Sequence, residues 1–64
     1  MKIVLDNGTI KEVKVDRAMI EDILNDLKIN PVEVIVAKNG KITSEYDIVE
    51  SEDQLKIIRI IHGG

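Results

Sequence analysis

The chain has 64 residues, nine Lys and Arg against twelve Asp and Glu, and a formal net charge of −3, which suits one domain that buries only about 60% of the surface its unfolded form exposes. With no Cys, Phe or Trp and a single Tyr, it excludes disulfide staples, thiolate nucleophiles and Cys-based metal sites, and its core must be aliphatic. The acidic balance and scattered basic residues argue against nucleic acid as a partner, no apolar run approaches the ~20 residues of a membrane span, and Met1 to Asp6 alternates too tightly for a signal peptide, so a cytoplasmic chain with no membrane contact is expected.

Lys2 to Asp6 alternates, with Ile3 and Leu5 on one face, and Val13 and Val15 alternate again after the turn signal Asn7-Gly8. A two-residue turn would set Ile3 opposite Glu12. A three-residue loop, Asn7-Gly8-Thr9, sets Ile3 opposite Val13 and Met1 opposite Val15, and is preferred because register follows the buried face. Asp16 then reads as a helix N-cap, with Val15 and Ile20 at the two positions of a hydrophobic staple. Ile20, Ile23, Leu24 and Leu27 form one apolar stripe, while Glu21, Asp22, Asn25 and Asp26 face water. Pro31 is expected to end this helix, since it cannot donate an N–H and pushes Asn30 out of the helical region.

Val32 to Ala37 is apolar on both faces, as in a central strand or one covered by a partner, and Asn39-Gly40 is a second hairpin turn leading to Lys41, Ile42 and Thr43, with Ala37 and Ile42 on one face. Ser44 to Gln54 is acidic and irregular. It reads as a solvated loop anchored by Tyr46, Ile48 and Val49 beneath Glu45, Asp47, Glu50, Glu52 and Asp53, although a partner with a basic face could use it. Leu55 to Ile61 is the last strand, with Leu55 and Ile57 on one face and Ile58 and Ile60 on the other. His62, Gly63 and Gly64 follow. Two closing glycines occur by chance roughly once in two hundred chains; a frayed terminus is the plain alternative.

No catalytic constellation is visible. His62 is the only histidine, with no motif that would place Ser44 or Ser51 against it, no metal-ligand spacing occurs, and Gly8 and Gly40 each stand alone in a hairpin turn rather than in a phosphate loop. The chain is therefore expected not to be an enzyme and to bind no cofactor or metal of its own.

Hairpin, helix, hairpin, strand is an α+β order, a β-grasp or ubiquitin-like fold with a mixed sheet of four to five strands and one main helix on one face. The expected organisation is one domain over residues 1–64 with a flexible Gly-Gly tail, most simply a monomer. Met1-Lys2-Ile3 with Asn7-Gly8, Val36-Ala37 with Asn39-Gly40, and Asp53-Gln54-Leu55 through Ile61-His62-Gly63-Gly64 resemble the signatures of ThiS-like, ubiquitin-related sulfur carriers of the ThiS/MoaD superfamily. The length suits ThiS better than MoaD, which usually has a proline pair where this chain has Ile60-Ile61. One departure is Glu52, where the family commonly has Gly before Asp53.

The resemblance implies that the Gly64 carboxylate is the reactive group. A ThiF/MoeB-like adenylating enzyme would use ATP and Mg²⁺ to make an acyl-adenylate, and a sulfur donor protein would displace AMP to leave a thiocarboxylate. A sulfur-accepting synthase or target would then take the sulfur for a thiazole, a pterin or a tRNA base. Gly63 and His62 complete the tail, and Gly63 adds no Cβ to a thread that must pass a narrow channel. Ile58 and Ile60, on the bare face of the sheet, are the expected docking residues for the adenylating partner. Two other readings use the same chain: a protein modifier joined through Gly64 to a lysine of a target, and an interaction module with an inert tail.

Overall fold

The structure is a computed structural model and describes residues 1–60. The elements are β1 (Lys2–Leu5), β2 (Ile10–Glu12), β3 (Arg17–Met19), α1 (Ile20–Asp26), a 3₁₀ turn (Pro31–Glu33), β4 (Val34–Lys38), β5 (Lys41–Thr43), β6 (Ile48–Glu50) and β7 (Gln54–Arg59). A five-stranded sheet has the order β2-β1-β7-β4-β5, and β3 and β6 form a separate two-stranded ribbon. β7 runs parallel to β1 and antiparallel to β4, so the first and last strands lie side by side at the middle of the sheet.

The core is aliphatic throughout. Ile3, Leu55, Ile57 and Val36 point from the sheet toward Ile20, Ile23 and Leu24 of α1, with Val49 of β6 closing the side. Among the described residues no polar or charged side chain is buried. The sheet strands alternate as a one-sided sheet must, and the helix stripe is buried as its spacing requires, with Leu27 at the helix end half-buried.

The first hairpin has a three-residue loop, but a different one from that expected. Its residues are Asp6, Asn7 and Gly8, and the register sets Ile3 opposite Lys11 and Val4 opposite Ile10. The Gly8 N–H donates to Leu5 O (3.0 Å) and the Leu5 N–H to Thr9 O (2.8 Å). That is a type I turn followed by a left-handed residue, and Gly8 takes φ +88°. Nothing lies within 4 Å of a Cβ placed there, so the demand for glycine is conformational. β2 is an edge strand with Ile10, Lys11 and Glu12 all exposed, so no buried face fixed its register.

The helix begins later than Asp16 implied. Arg17–Met19 is a strand instead, the N-cap is Met19, and no side chain caps the helix, which also removes the Val15–Ile20 staple. The orphan N–H groups find distant carbonyls: Ile20 N–H donates to Asp47 O (3.0 Å) and Glu21 N–H to Glu45 O (2.7 Å). The helix also ends before Pro31. Leu27 is the C-cap, Lys28 takes φ +61°, and the Ile29 N–H reaches Leu24 O (2.8 Å) while the Lys28 N–H reaches Asn25 O (3.0 Å). This pair of bonds is a Schellman motif, with Ile29 packing onto the core beside Leu24.

Asn30 is extended, as a residue before proline should be, and its side chain accepts from the Val32 N–H (3.1 Å) at the start of the 3₁₀ turn. The strand expected from Val32 therefore begins at Val34, and Val32 is exposed. It is an inner strand between β7 and β5. The second hairpin has the expected two-residue turn, Lys38 opposite Lys41, with Asn39 (φ +51°) and Gly40 (φ +87°) both left-handed as a type I′ turn requires. Glu52 needs no glycine: among the described residues only Lys28 and Asn39 are non-glycine positions with positive φ. The Glu52 turn is closed by Asp53 N–H to Glu50 O (3.0 Å) and by Glu50 N–H to Asp53 Oδ2 (2.7 Å).

Replacing Leu24, fully buried at the centre of the stripe, with Ala should cost about 2–5 kcal/mol, read as a lowered denaturant midpoint at unchanged m-value. Lys28→Gly should act in the opposite sense. It relieves the left-handed strain of a Cβ at an exposed C′ position and should raise the unfolding free energy by about 0.5–1 kcal/mol in the same assay.

Candidate functional site

β7 leads to the tail. Its backbone is gripped on both sides to the last described residue: the Arg59 N–H donates to Asp6 Oδ2 (3.0 Å), from the first hairpin turn, and the Ile60 N–H donates to Glu33 O (2.8 Å), before β4. Asp6 thereby continues, with its side chain, the parallel pairing that the β1 backbone ends at Leu5. Sequence reasoning missed Asp6 in this part. The contact spans 53 positions, and a lone Asp beside Asn7-Gly8 looks only like a turn residue.

Leu55 and Ile57 face α1 and are buried, while Ile58 and Ile60 are each 38% exposed on the opposite side. The open face can be read from the register. One row across the sheet runs Ile10, Val4, Lys56, Ala37, Ile42, and the next pairs Ile58 with Ile35. Facing residues in adjacent strands share a side, so Ile10, Ile35, Ile42 and Ile58, all exposed, lie on one apolar surface with Lys56 in its middle and Lys2 in the row beyond. Ile58 and Ile60 are thus where their alternation placed them, and the sequence alone did not show that Ile10, Ile35 and Ile42 join them. His62, Gly63 and Gly64, the other tail residues singled out, lie outside the described residues.

The acidic segment is the second candidate surface, and it is more structured than a solvated loop. Ile48–Glu50 forms β6 against β3, Val49 is fully buried, and the carbonyls of Glu45 and Asp47 cap α1. Tyr46, expected as an anchor, is exposed instead. Asp47 accepts from the Thr43 hydroxyl (2.8 Å), sits 3.0 Å from the Lys38 ammonium, and takes the Ile48 N–H on its other oxygen (2.8 Å). Lys38 also donates to Ile48 O (3.1 Å). The Thr43 hydroxyl first, then Lys38 and the Ile48 N–H, hold the Asp47 carboxyl down to about 2. Asp53 is lowered as well, by the Asn39 side-chain amide (2.8 Å) and then the Glu50 N–H (2.7 Å). These acids are engaged in holding turns together.

Among the described residues, no group of three or more His, Cys, Asp or Glu side chains is arranged to hold a metal ion. No helix is long and apolar enough to cross a membrane. What the arrangement offers is a delivered strand end and an apolar sheet face beside it.

A five-stranded mixed sheet with the first and last strands parallel at its centre, covered by a single helix on one face, is the ubiquitin-like β-grasp. Residues 1–61 match the family described as small archaeal modifier protein 2, and the chain belongs to it. Two solved structures share the fold. One is the crystal structure of the thiamine biosynthesis protein ThiS from Geobacter metallireducens, 21% identical, covering all of both chains with a TM-score of 0.69. The other is a solution structure of a thiamine biosynthesis protein from the same organism, 20% identical, covering all of this chain and 88% of that one, with a TM-score of 0.64. No curated protein matches the sequence.

Asp47 gives the segment a pH signature. Its carboxyl is held below the ordinary 3.8, so its contribution to stability is fully present above about pH 4 and is lost as pH falls through about 2. Denaturant melts from pH 5 to pH 2 should show the parent losing stability more steeply than Asp47→Asn. Equal slopes would show that the Thr43–Asp47–Lys38 cluster is not what acid dissolves.

Proposed function

We propose that the chain is a sulfur carrier acting through the carboxylate of Gly64. In this reading a ThiF/MoeB-like adenylating enzyme uses ATP and Mg²⁺ to convert the carboxylate to an acyl-adenylate, releasing pyrophosphate. Sulfide (HS⁻) delivered by a sulfur donor protein attacks the acyl carbon and displaces AMP, losing its proton to leave a thiocarboxylate, and a sulfur-accepting synthase takes the sulfur. The carrier contributes the acyl group and no catalysis. The observation that carries this reading is the grip on β7: the strand is held to Ile60 from both sides, next to an apolar face, four positions before Gly64. Family membership and the fold support it. The absence of cysteine also supports it, since sulfur held without a thiol needs the carboxyl carbon.

The adenylating enzyme docks on the open face through Ile58 and Ile60, where aliphatic side chains lose water on contact. A second reading, the protein modifier, is favoured by the description of the family as modifiers. It shares the activation step and differs in product, an isopeptide bond from Gly64 to a target lysine.

Intact mass after incubation with an adenylating enzyme, ATP and a sulfur donor separates the two. One oxygen exchanged for sulfur at Gly64 marks the carrier, and a branched conjugate marks the modifier. Deleting Gly64 should abolish either product with the fold intact, and Gly63→Val should impair both, because a branched Cβ stiffens and widens the thread. If a competent enzyme yields neither product and the deletion behaves like the parent, the tail has no such role. Ile58→Asp should leave the unfolding free energy within about 1 kcal/mol of the parent, as an exposed position allows, yet weaken docking. A collapse of the fold would make Ile58 a core residue.

A further inference from the structure

At the end of the sheet where β7 leaves it, on the helix side and away from the open apolar face, lies a groove of about 450 Å³. Its aliphatic lining comes from Leu5, Ile57 and Val34 of the three inner strands and from Leu27 and Ile29 of the helix end. Its charged lining is Lys11, Lys28 and Arg59, with Asp6 as the one acid. In a chain of net charge −3 this is a local excess of cations. One Asp6 oxygen accepts the Arg59 backbone N–H, and the three cations still outnumber this one acid. Among the described residues, none of the three cations is in an ion pair.

Lys28 adds an independent observation. It holds the left-handed C′ position (φ +61°) that glycine fills without strain, so a side chain is kept there against a conformational cost. Lys28 also lies just past the helix C-terminus, a position that by itself favours a cation. Lys11, on an edge strand, and Arg59, at the end of β7, have no helix terminus beside them, and all three line the same groove.

We infer that this groove docks a segment of a partner protein that presents aliphatic side chains to the floor and carboxylates to Lys11, Lys28 and Arg59. The aliphatic floor selects apolar side chains, and the cationic rim selects acidic flanks over basic ones. The site is separate from the sheet face of Ile58 and Ile60, and it does not depend on the chemistry proposed for Gly64.

The test is an NMR titration of the ¹⁵N-labelled protein with a blocked hexapeptide of four aliphatic residues flanked by aspartates, and with the same peptide carrying lysines in their place. The acidic peptide should give saturable shifts at the amides of Leu5, Lys11, Leu27, Lys28, Ile29 and Arg59, with the lysine peptide about tenfold weaker. The charge reversal Lys11→Glu with Arg59→Glu should weaken binding by about tenfold or more while the remaining spectrum is unchanged. Lys28→Gly should stabilise the protein yet bind the peptide about threefold more weakly, a divergence that a purely structural lysine would not produce. Equal binding of both peptides, shifts centred on Val4, Ile10 and Ile58, or no shift up to about 5 mM peptide would each overturn the inference. Shifts that follow protein concentration alone would assign the groove to a second copy of the chain and overturn it as well.

Discussion

The parallel pairing of β1 with β7 is the constraint on which the remainder depends. Parallel strands cannot be joined by a tight turn, so everything between Leu5 and Gln54 serves as the connection, and it must leave one edge of the pair and return at the other. The first hairpin extends the sheet on one side through β2, and β4 with β5 extends it on the other. The helix covers the face that this central pair would otherwise expose, which is why Ile3, Leu55 and Ile57 are the most protected sheet residues. With an aliphatic core and no aromatic help, the domain has little surplus, and the alternation of β7 has to be strict.

That alternation also divides the two surfaces that a partner could meet. Along one strand, Leu55 and Ile57 hold the fold together while Lys56, Ile58 and Ile60 face out, so a change on the open side need not disturb the core. The acids lie mostly elsewhere, on the helix and the segment after β5, and several are tied into hydrogen bonds with Thr43, Lys38 and Asn39. A chain that is acidic in total therefore presents an apolar sheet face with Lys2, Lys56 and Glu12 on it, and a cationic groove near the strand's exit.

What the sequence made legible was local chemistry. The Asn39-Gly40 turn, the helix stripe and the two faces of β7 follow from dihedral preference and periodicity, and all three are found. The misreadings share a cause, which is that the deciding partner is far away in sequence. Asp16 has the right side chain for a cap, but the helix draws its acceptors from Glu45 and Asp47. A buried face sets hairpin register only where both strands have one, and the edge strand β2 has none. The Asp6 contact to Arg59, the burial of Val49 and the cationic rim of the groove come from topology, which no short window contains. The tail residues were conspicuous as letters, and they lie outside the described residues.

The grip on β7 has a mechanical side. Because β1 and β7 run in the same direction and are bonded along Lys2 to Leu5, tension drawn along the tail while the amino-terminal strand is held acts lengthwise on that pair. The bonds then share the load and must slip together, where a hairpin pulled at its open end would unzip one bond at a time. Asp6 and Glu33 add a collar at the point where the pull enters. A load entering at Ile60 is therefore spread over the whole β1–β7 pair, and the sheet acts as a stop.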